Sequence, residues 1–359
     1  MEKRAVMEVL DREYLGMGST VQKFEEELGE YFGRPAVCLV NGTAALHLAL
    51  QACGIAQGDE VLVPSLTYIA SYQAISATGA IPIACDIDPG TCTLDPGDLE
   101  KRISDRTKAI MPVHYAGGVG HIDEIYAFAE RNGLRMIEDA AHAFGTIHHG
   151  LPVGSKGDIA CFSFDGIKNI TSGEGGCIVC GDPEILRRAR DARLLGVEND
   201  TSARYSGKRS WDFDVTAQGW RYHMSEIMAA IGRVQLARRA ELAGRRQHLA
   251  AAYLRHLSNN RHVRPILSDF DAVVPHIFPI RIAGLKDRDS LRSRMREKGV
   301  ETGVHYRPNH TLSLYASHIR GSLPATDSVY PELLTLPLHP DLTEADVGYV
   351  CECLKDELS

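Results

Sequence analysis

One lysine and one aspartate carry the chemistry most legible in this chain. Lys168 lies in Cys161-Phe-Ser-Phe-Asp-Gly-Ile-Lys168-Asn-Ile-Thr-Ser-Gly173-Glu-Gly-Gly176, where an apolar strand runs into a turn and then a glycine cluster. Upstream, Met136-Ile-Glu-Asp139-Ala-Ala-His142 puts a carboxylate just past the end of another strand. The interval between them leaves room for one crossover and one further strand. A lysine amine can form an imine with an aldehyde, and a carboxylate can pair with a protonated pyridine nitrogen. Those two groups are the minimal protein contribution to pyridoxal 5'-phosphate (PLP) chemistry, so PLP is the expected cofactor.

Each of the two has a rival. Glu138 precedes Asp139, but strand alternation points neighbouring side chains to opposite faces. An acid at a strand end can also cap the next helix, and it is the downstream lysine that favours the cofactor role. Lys156 sits in the hydrophilic turn Gly154-Ser-Lys-Gly-Asp158, the usual place for a solvated lysine, whereas Lys168 follows a buried strand. Asn41-Gly42-Thr43-Ala44-Ala45 opens an apolar helix after a strand. Gly42 permits a tight turn there, and Thr43 either offers its hydroxyl to a phosphate beside the free helix-terminal amides or caps the helix. Tyr68 ends Val63-Pro-Ser-Leu-Thr-Tyr68 at a strand's carboxyl edge, where it either stacks on a flat ring or packs locally. Walker A and Gly-x-Gly-x-x-Gly patterns are absent, which leaves nucleoside triphosphate or NAD binding without support.

The elements that must position these residues follow from hydrophobic pattern. Apolar, β-rich runs at Ala36–Val40, Glu60–Pro64, Ile81–Cys85, Lys108–Val113, Arg135–Glu138, Ile159–Phe164 and Gly176–Cys180 alternate with helical stretches such as Thr43–Ala52, Ile69–Thr78 and Ile122–Asn132. That alternation predicts a largely parallel seven-stranded sheet covered by helices, an α/β fold. A polar, irregular segment spans Glu198–Asp214, and a long amphipathic stretch runs from Ser225 to Leu257. Its Arg238, Arg239, Arg245 and Arg246 are read as a solvated face. Beyond it lie a strand-like run His276–Ile282, a helix Arg288–Lys298 and a closing helix from Thr343. The expected division is a large domain at 1–245 and a smaller α/β domain at 246–359, with the N-terminal residues free to pack on the latter.

Composition narrows the function. Hydrophobic content of 44% and charged content of 24% are ordinary for a globular protein, and a net charge of −8 with no basic stripe argues against nucleic acid as partner. Neither a signal-peptide core nor a membrane-length apolar run is visible, so a cytoplasmic location without membrane association is expected. Nine cysteines are scattered through the elements without disulfide-framework spacing. Cys177-Ile-Val-Cys180 lies in a glycine-flanked strand with no second pair to match it, and no metal site is expected.

With these residues in hand, the chain resembles the DegT/DnrJ/StrS family of PLP-dependent nucleotide-sugar aminotransferases from about Gly16 onward. The matching motifs occur in order. They are Asn41-Gly-Thr-Ala-Ala-Leu-His-Leu-Ala-Leu50, Gly58-Asp-Glu-Val-Leu-Val-Pro-Ser65, Asp86-Ile-Asp-Pro89, Ile137-Glu-Asp-Ala-Ala-His142 and Gly157-Asp-Ile-Ala-Cys-Phe-Ser-Phe164. Lys168-Asn169, Glu174-Gly-Gly176, Tyr222-His-Met-Ser-Glu226, Thr302-Gly-Val-His-Tyr306 and Leu336-Pro-Leu-His-Pro340 follow. The ArnB-like and VioA-like enzymes, which aminate C4 of a sugar, are the nearest in motif.

The resemblance implies fold type I and a homodimer with active sites at the subunit interface. It makes Lys168 the Schiff-base lysine and Asp139 the partner of the pyridine nitrogen. Gly42, Thr43, Ala44 and Ser163 match the phosphate cup, Tyr68 the stacking aromatic, and His142 a position beside the ring hydroxyl. His223 falls where relatives more often carry Arg or Asn, reaching the partner's phosphate. Asn169, Glu174, His305, His310 and the 198–214 segment fall near the sugar-nucleotide pocket. L-glutamate is the implied donor and a nucleotide-linked 4-keto-6-deoxyhexose the implied acceptor, as in lipopolysaccharide or O-antigen biosynthesis. Dehydratases of the family carry His where Lys168 stands. Cysteine desulfurases would place a histidine before the lysine, where Ile167 stands. The readings kept beside C4 amination are a 3-keto-sugar aminotransferase of the same family and a non-catalytic regulatory protein on the same fold.

Overall fold

Why the strands bury both faces is visible in their alternation. The computed structural model describes residues 1–198, 200–208, 212–267 and 269–358. Its strands are β1 (Ala36–Leu39), β2 (Glu60–Pro64), β3 (Ile81–Cys85), β4 (Thr107–Ile110), β5 (Arg135–Asp139), a short hairpin β6 (Ile147–His148) and β7 (Leu151–Pro152), then β8 (Ile159–Ser163) and β9 (Gly176–Cys180). Ile159 and Cys161 of β8 enter one hydrophobic cluster with α3 (Gly42–Ala52) and α4 (Ile69–Ala77). Ala160 and Phe162 enter another with α2 (Ser19–Phe32), which follows α1 (Glu2–Asp11). β9 does the same: Cys180 joins the first cluster and Cys177 the second, so the two thiols lie on opposite faces of the sheet. The result is three layers, helix, sheet and helix.

All seven expected runs form one sheet, in the order β1-β9-β8-β5-β4-β2-β3. β9 alone runs antiparallel to its neighbours, so it starts at the edge where the six others end. That shared edge collects Asn41, Tyr68, His114, Asp139 and Lys168, at the carboxyl ends where open α/β sheets bind ligands.

The amphipathic stretch is two helices, Glu226–Ala237 and Arg239–Leu257, broken at Arg238 (φ −96°, ψ 5°). Leu242 packs with the second cluster of the large sheet, while Leu249 belongs to a separate core. We propose that the domain boundary falls between them, inside this helix. The second core lies on a three-stranded antiparallel sheet of β10 (Val263–Pro265), β11 (Phe278–Ile282) and β12 (Leu333–Leu336), covered by helices Arg288–Glu297 and Glu344–Leu358.

Two expectations are corrected. The N-terminal helix does not pack on the small domain. Its Glu2 accepts from Gln235 and Arg238, and the helix lies along Glu226–Ala237. The arginines after Ser225 are also not all solvated, because Arg246 is 3% exposed. It occupies the apolar stripe of its helix, between Leu242 and Leu249 or Ala250. Among the described residues, no helix is long and apolar enough to cross a membrane.

Candidate active site

β5 delivers Asp139 to the carboxyl edge with its side chain buried. Its Oδ2 accepts from the Ser71 hydroxyl at 2.7 Å and its Oδ1 from the Ala141 amide at 3.2 Å. Ser71 lies in the first turn of α4 and is itself buried, so the acid is fixed by a residue that cannot swing away. Glu138 points to the other face, where it accepts from His114 Nε2 at 2.7 Å and from the Tyr126 hydroxyl. Alternation separates the two acids.

After β8 the chain turns, with the Lys168 amide donating to the Asp165 carbonyl at 3.0 Å. The Lys168 Nζ lies 3.4 Å from Nε2 of His276. Burial disfavours the ammonium and, although Asp139 and Asp165 pull the other way, brings Lys168 down to about 8, with Arg246 adding repulsion. The free amine, which is the nucleophilic form, is then about a tenth of the population at pH 7, far more than for a solvated lysine. Lys156, by contrast, is exposed.

A group of rings from both domains closes over this amine. His142 and His276 have ring centroids 4.4 Å apart. The Ala116 amide donates to His142 Nδ1 at 3.3 Å, which assigns the proton to Nε2, and Nε2 then donates to the Tyr306 hydroxyl at 3.0 Å. Nδ1 of His305 lies 2.8 Å from Thr335 Oγ1. Burial holds His142 and His276 well below the usual imidazole range, and burial plus the Lys168 charge takes His305 to about 4. These imidazoles are neutral, polar walls. Tyr68 is 57% exposed at the rim, its ring centroid 5.5 Å from that of Tyr306.

At the start of α3 the helix cap is Asn41, whose Oδ1 accepts from the Ala44 amide at 2.8 Å. Thr43 is therefore not the cap; it is exposed at the first turn of the helix. A Cβ at Gly42 would lie 2.8 Å from Ser163 Cβ. Glycine lets α3 start this close to the end of β8, so Ser163 stands beside the N-terminus of α3, a chemistry suited to an anion. His223 pairs as an isolated bridge with Leu39, at the end of β1. Its buried Nδ1 has no partner among the described residues, and burial with Arg221, Arg204 and Arg193 nearby lowers it to about 4.

Other expected contacts are not brought to the amine. Both amide hydrogens of Asn169 go to the carbonyls of Phe144 and Val274, at 3.0 and 3.2 Å, so this side chain braces the turn behind Lys168. His310 has a partner on each ring nitrogen, Ser65 Oγ at 2.7 Å and Asp327 at 3.2 Å. Glu174 is exposed on the turn into β9. Of the 198–214 segment, residues 199 and 209–211 lie outside the described residues. Its helix Asp200–Tyr205 sends Tyr205 to the buried pair of Glu25 and Arg193.

Sequence reasoning missed three residues. His276 was read only as the first position of a strand-like run, and Tyr306 only as part of a motif. Arg246 donates to the carbonyls of His276, Leu338 and Ile167, the last adjoining Lys168, and so ties the small domain to the lysine turn. A signal for it existed: one arginine standing where the helical stripe calls for an apolar residue.

The residues present fit PLP. The helix terminus and Ser163 suit its phosphate, Asp139 its ring nitrogen, and Lys168 its aldehyde. The model of the DegT/DnrJ/EryC1/StrS aminotransferase family matches residues 1–355. Among solved structures, the chain is similar to DesV of S. venezuelae (36% identity, TM-score 0.89, covering 99% of this chain and 93% of that one). It is also similar to the aminotransferase TlmJ of Streptoalloteichus hindustanus (32%, TM-score 0.91, 99% and 95%) and to Helicobacter pylori PseC, an aminotransferase of pseudoaminic acid biosynthesis (26%, TM-score 0.91, 99% and 95%). A protein described as a sugar aminotransferase from Streptococcus pneumoniae, solved in a PLP form, matches at 28% identity with a TM-score of 0.91, over 99% of this chain and 95% of that one. With a lysine and an aspartate poised for that cofactor at the sheet edge, the chain belongs to the DegT/DnrJ/EryC1/StrS family of PLP-dependent sugar aminotransferases.

Proposed function

We propose that this enzyme transfers the amino group of L-glutamate to C4 of a nucleotide-linked 4-keto-6-deoxyhexose, working as a homodimer in the cytoplasm. The observation that carries the transferase reading is the buried, partly neutral Lys168 at the sheet edge it shares with Asp139.

PLP supplies an aldehyde for the amino group and a ring that accepts electrons from the substrate carbon. The protein does the rest. Asp139, fixed by Ser71 and the Ala141 amide, presents negative charge that keeps a ring nitrogen protonated. Lys168 Nζ, once free, accepts the proton from the donor's α-carbon and returns it on the other side of the exchange. Neutral His276, 3.4 Å from Nζ, offers a hydrogen-bond partner without adding a charge that would hold the amine protonated. His142 and Tyr306 form a fixed pair beside it. The α3 terminus and Ser163 would hold the cofactor's phosphate and so keep the reacting end in place.

Support for C4 comes from the turn after the lysine. Asn169-Ile-Thr-Ser-Gly-Glu174-Gly-Gly176 resembles the 4-aminotransferases, whereas 3-aminotransferases more often carry a Gly-Asp-Ala-Gly type of segment. A Cβ at Gly175 would fall 2.1 Å from Ser172 Oγ and 2.9 Å from Met224, and Ser172 Oγ donates to the Glu174 carbonyl at 2.7 Å. An alanine there would force this turn to rearrange. NMR of the products made from a panel of nucleotide-linked 4-keto- and 3-keto-sugars with glutamate tests the proposal: nitrogen at C4, from a 4-keto member, is expected. Nitrogen only at C3, from a 3-keto member, refutes the regiochemistry alone, and no amino sugar with any member of the panel refutes the substrate class.

A further inference from the structure

We propose that Asp123, His148 and His149 form a binding site for a divalent ion of the zinc, cobalt or nickel class, remote from the Lys168 chemistry. The site lies on the Glu138 side of β5, where Asp123 and the two histidines line a cavity of about 270 Å³ together with Glu138, His114 and Tyr126.

The geometry is set by the hairpin. Consecutive residues of an extended strand point to opposite faces, so His148 and His149 would ordinarily diverge. Here His149 has φ 50° and Gly150 φ 76°, the left-handed pair of a tight two-residue turn. Asn or Asp is the usual choice at the first of these positions, and histidine is among the residues that also tolerate it. The left-handed backbone brings the two imidazoles side by side, with ring centroids 4.0 Å apart. Both then direct Nε2 at a single carboxylate, His148 at Oδ1 of Asp123 (3.1 Å) and His149 at Oδ2 (2.8 Å).

Asp123 comes from the first turn of helix Ile122–Arg131, so the cluster joins two separate elements. Its three ligand atoms lie within 4.8 Å of one another. A tetrahedral site with bonds near 2.0–2.1 Å needs separations of about 3.3 Å, within reach of small rotations of side chains as exposed as these. Two imidazoles and one carboxylate suit borderline transition metals and disfavour magnesium or calcium, which need mostly oxygen. Three protein ligands leave a further position for water or a ligand in the adjoining cavity.

Calorimetric titration of the chelator-treated holoenzyme with zinc tests the site, with cobalt absorbance as a second readout. Wild type is expected to take up one ion there and to show the intense visible bands of four- or five-coordinate cobalt. His149→Ala and Asp123→Asn should each weaken this uptake by at least about tenfold while retaining turnover. His305→Ala, on the Lys168 side, should leave it unchanged. Uptake that survives both of the first two substitutions, or that His305→Ala removes, overturns the proposal. So does a cobalt spectrum of wild type identical to that of the hydrated ion at millimolar cobalt.

Discussion

Lys168 and Asp139 divide the labour of the site through their surroundings. Lys168→Ala is expected to abolish both turnover and the visible absorbance of bound cofactor, whereas Lys156→Ala, altering an exposed turn, should leave both near wild type. A dead Lys156 variant would overturn the site. The pH dependence follows from burial, which lowers Lys168 from 10.5 to about 8. The amine is protonated below that value and free above it. Stopped-flow capture of PLP by the stripped enzyme should therefore rise with pH and level off above about pH 8. A rise continuing past pH 10 would show a solvated lysine. Asp139→Asn should still bind PLP yet lose roughly a hundredfold or more in turnover, because an amide cannot hold the ring's positive charge. Full turnover with PLP bound would remove that role. At this scale the sequence named the groups that touch the cofactor, since each stands at a strand end with a local signature. It could not name His276 or Tyr306. His276 reaches the amine and Tyr306 reaches His142, each from more than a hundred positions away along the chain, through packing between domains that leaves no local pattern.

The elements show the same split between local and distant causes. The seven strands of the large sheet were legible because each is an apolar run bounded by turns. The two short strands β10 and β12 were not, being three and four residues long and partly polar. The break at Arg238 was hidden inside a continuous helical pattern. Another role surfaces only in three dimensions. Glu226, in the motif Tyr222–Glu226, accepts from the amides of Gly18, Thr20 and Val21 at 2.9 to 3.1 Å and so caps α2 from far along the chain. An anion at a helix N-terminus is stabilising, and Glu226→Ala should cost about 1–2 kcal/mol in denaturant unfolding. The same loss with Glu226→Asp would identify reach as well as charge as the requirement, and no loss in either would deny the cap. Arg246 is the larger case. Arg246→Leu leaves the carbonyls of Ile167, His276 and Leu338 without this donor, which should cost about 1–3 kcal/mol. Because one of those carbonyls adjoins Lys168, the absorbance of bound PLP should shift or fade in the same variant. A stable Arg246→Leu protein with an unaltered spectrum would show that these hydrogen bonds neither hold the two domains together nor position the lysine turn.

For the whole molecule, the expected dimer makes a sharper claim than stability does. Leu195, Phe213 and Val215 are each about half exposed, on segments joined by the bridge between Val197 and Val215. Several exposed apolar residues in neighbouring segments are characteristic of a surface that another chain covers. His223 lies a few residues beyond, neutral at ordinary pH and with a buried nitrogen that has no partner among the described residues. In a symmetric dimer every contact occurs twice, so a residue lent to the neighbour's site is lent in both directions. That symmetry permits a complementation experiment. His223→Ala alone should be impaired, and Lys168→Ala alone should be inactive. When equal amounts exchange subunits freely, half of the dimers are mixed, and each has one site with both defects and one intact. Activity should then recover to about a quarter of wild type. If His223 served its own chain's lysine, every site in the mixture would carry one defect. No activity would appear beyond the residual level of the His223 variant. Native mass spectrometry of the mixture verifies the exchange, so a failure to recover with mixed dimers present would place His223 in its own subunit's site.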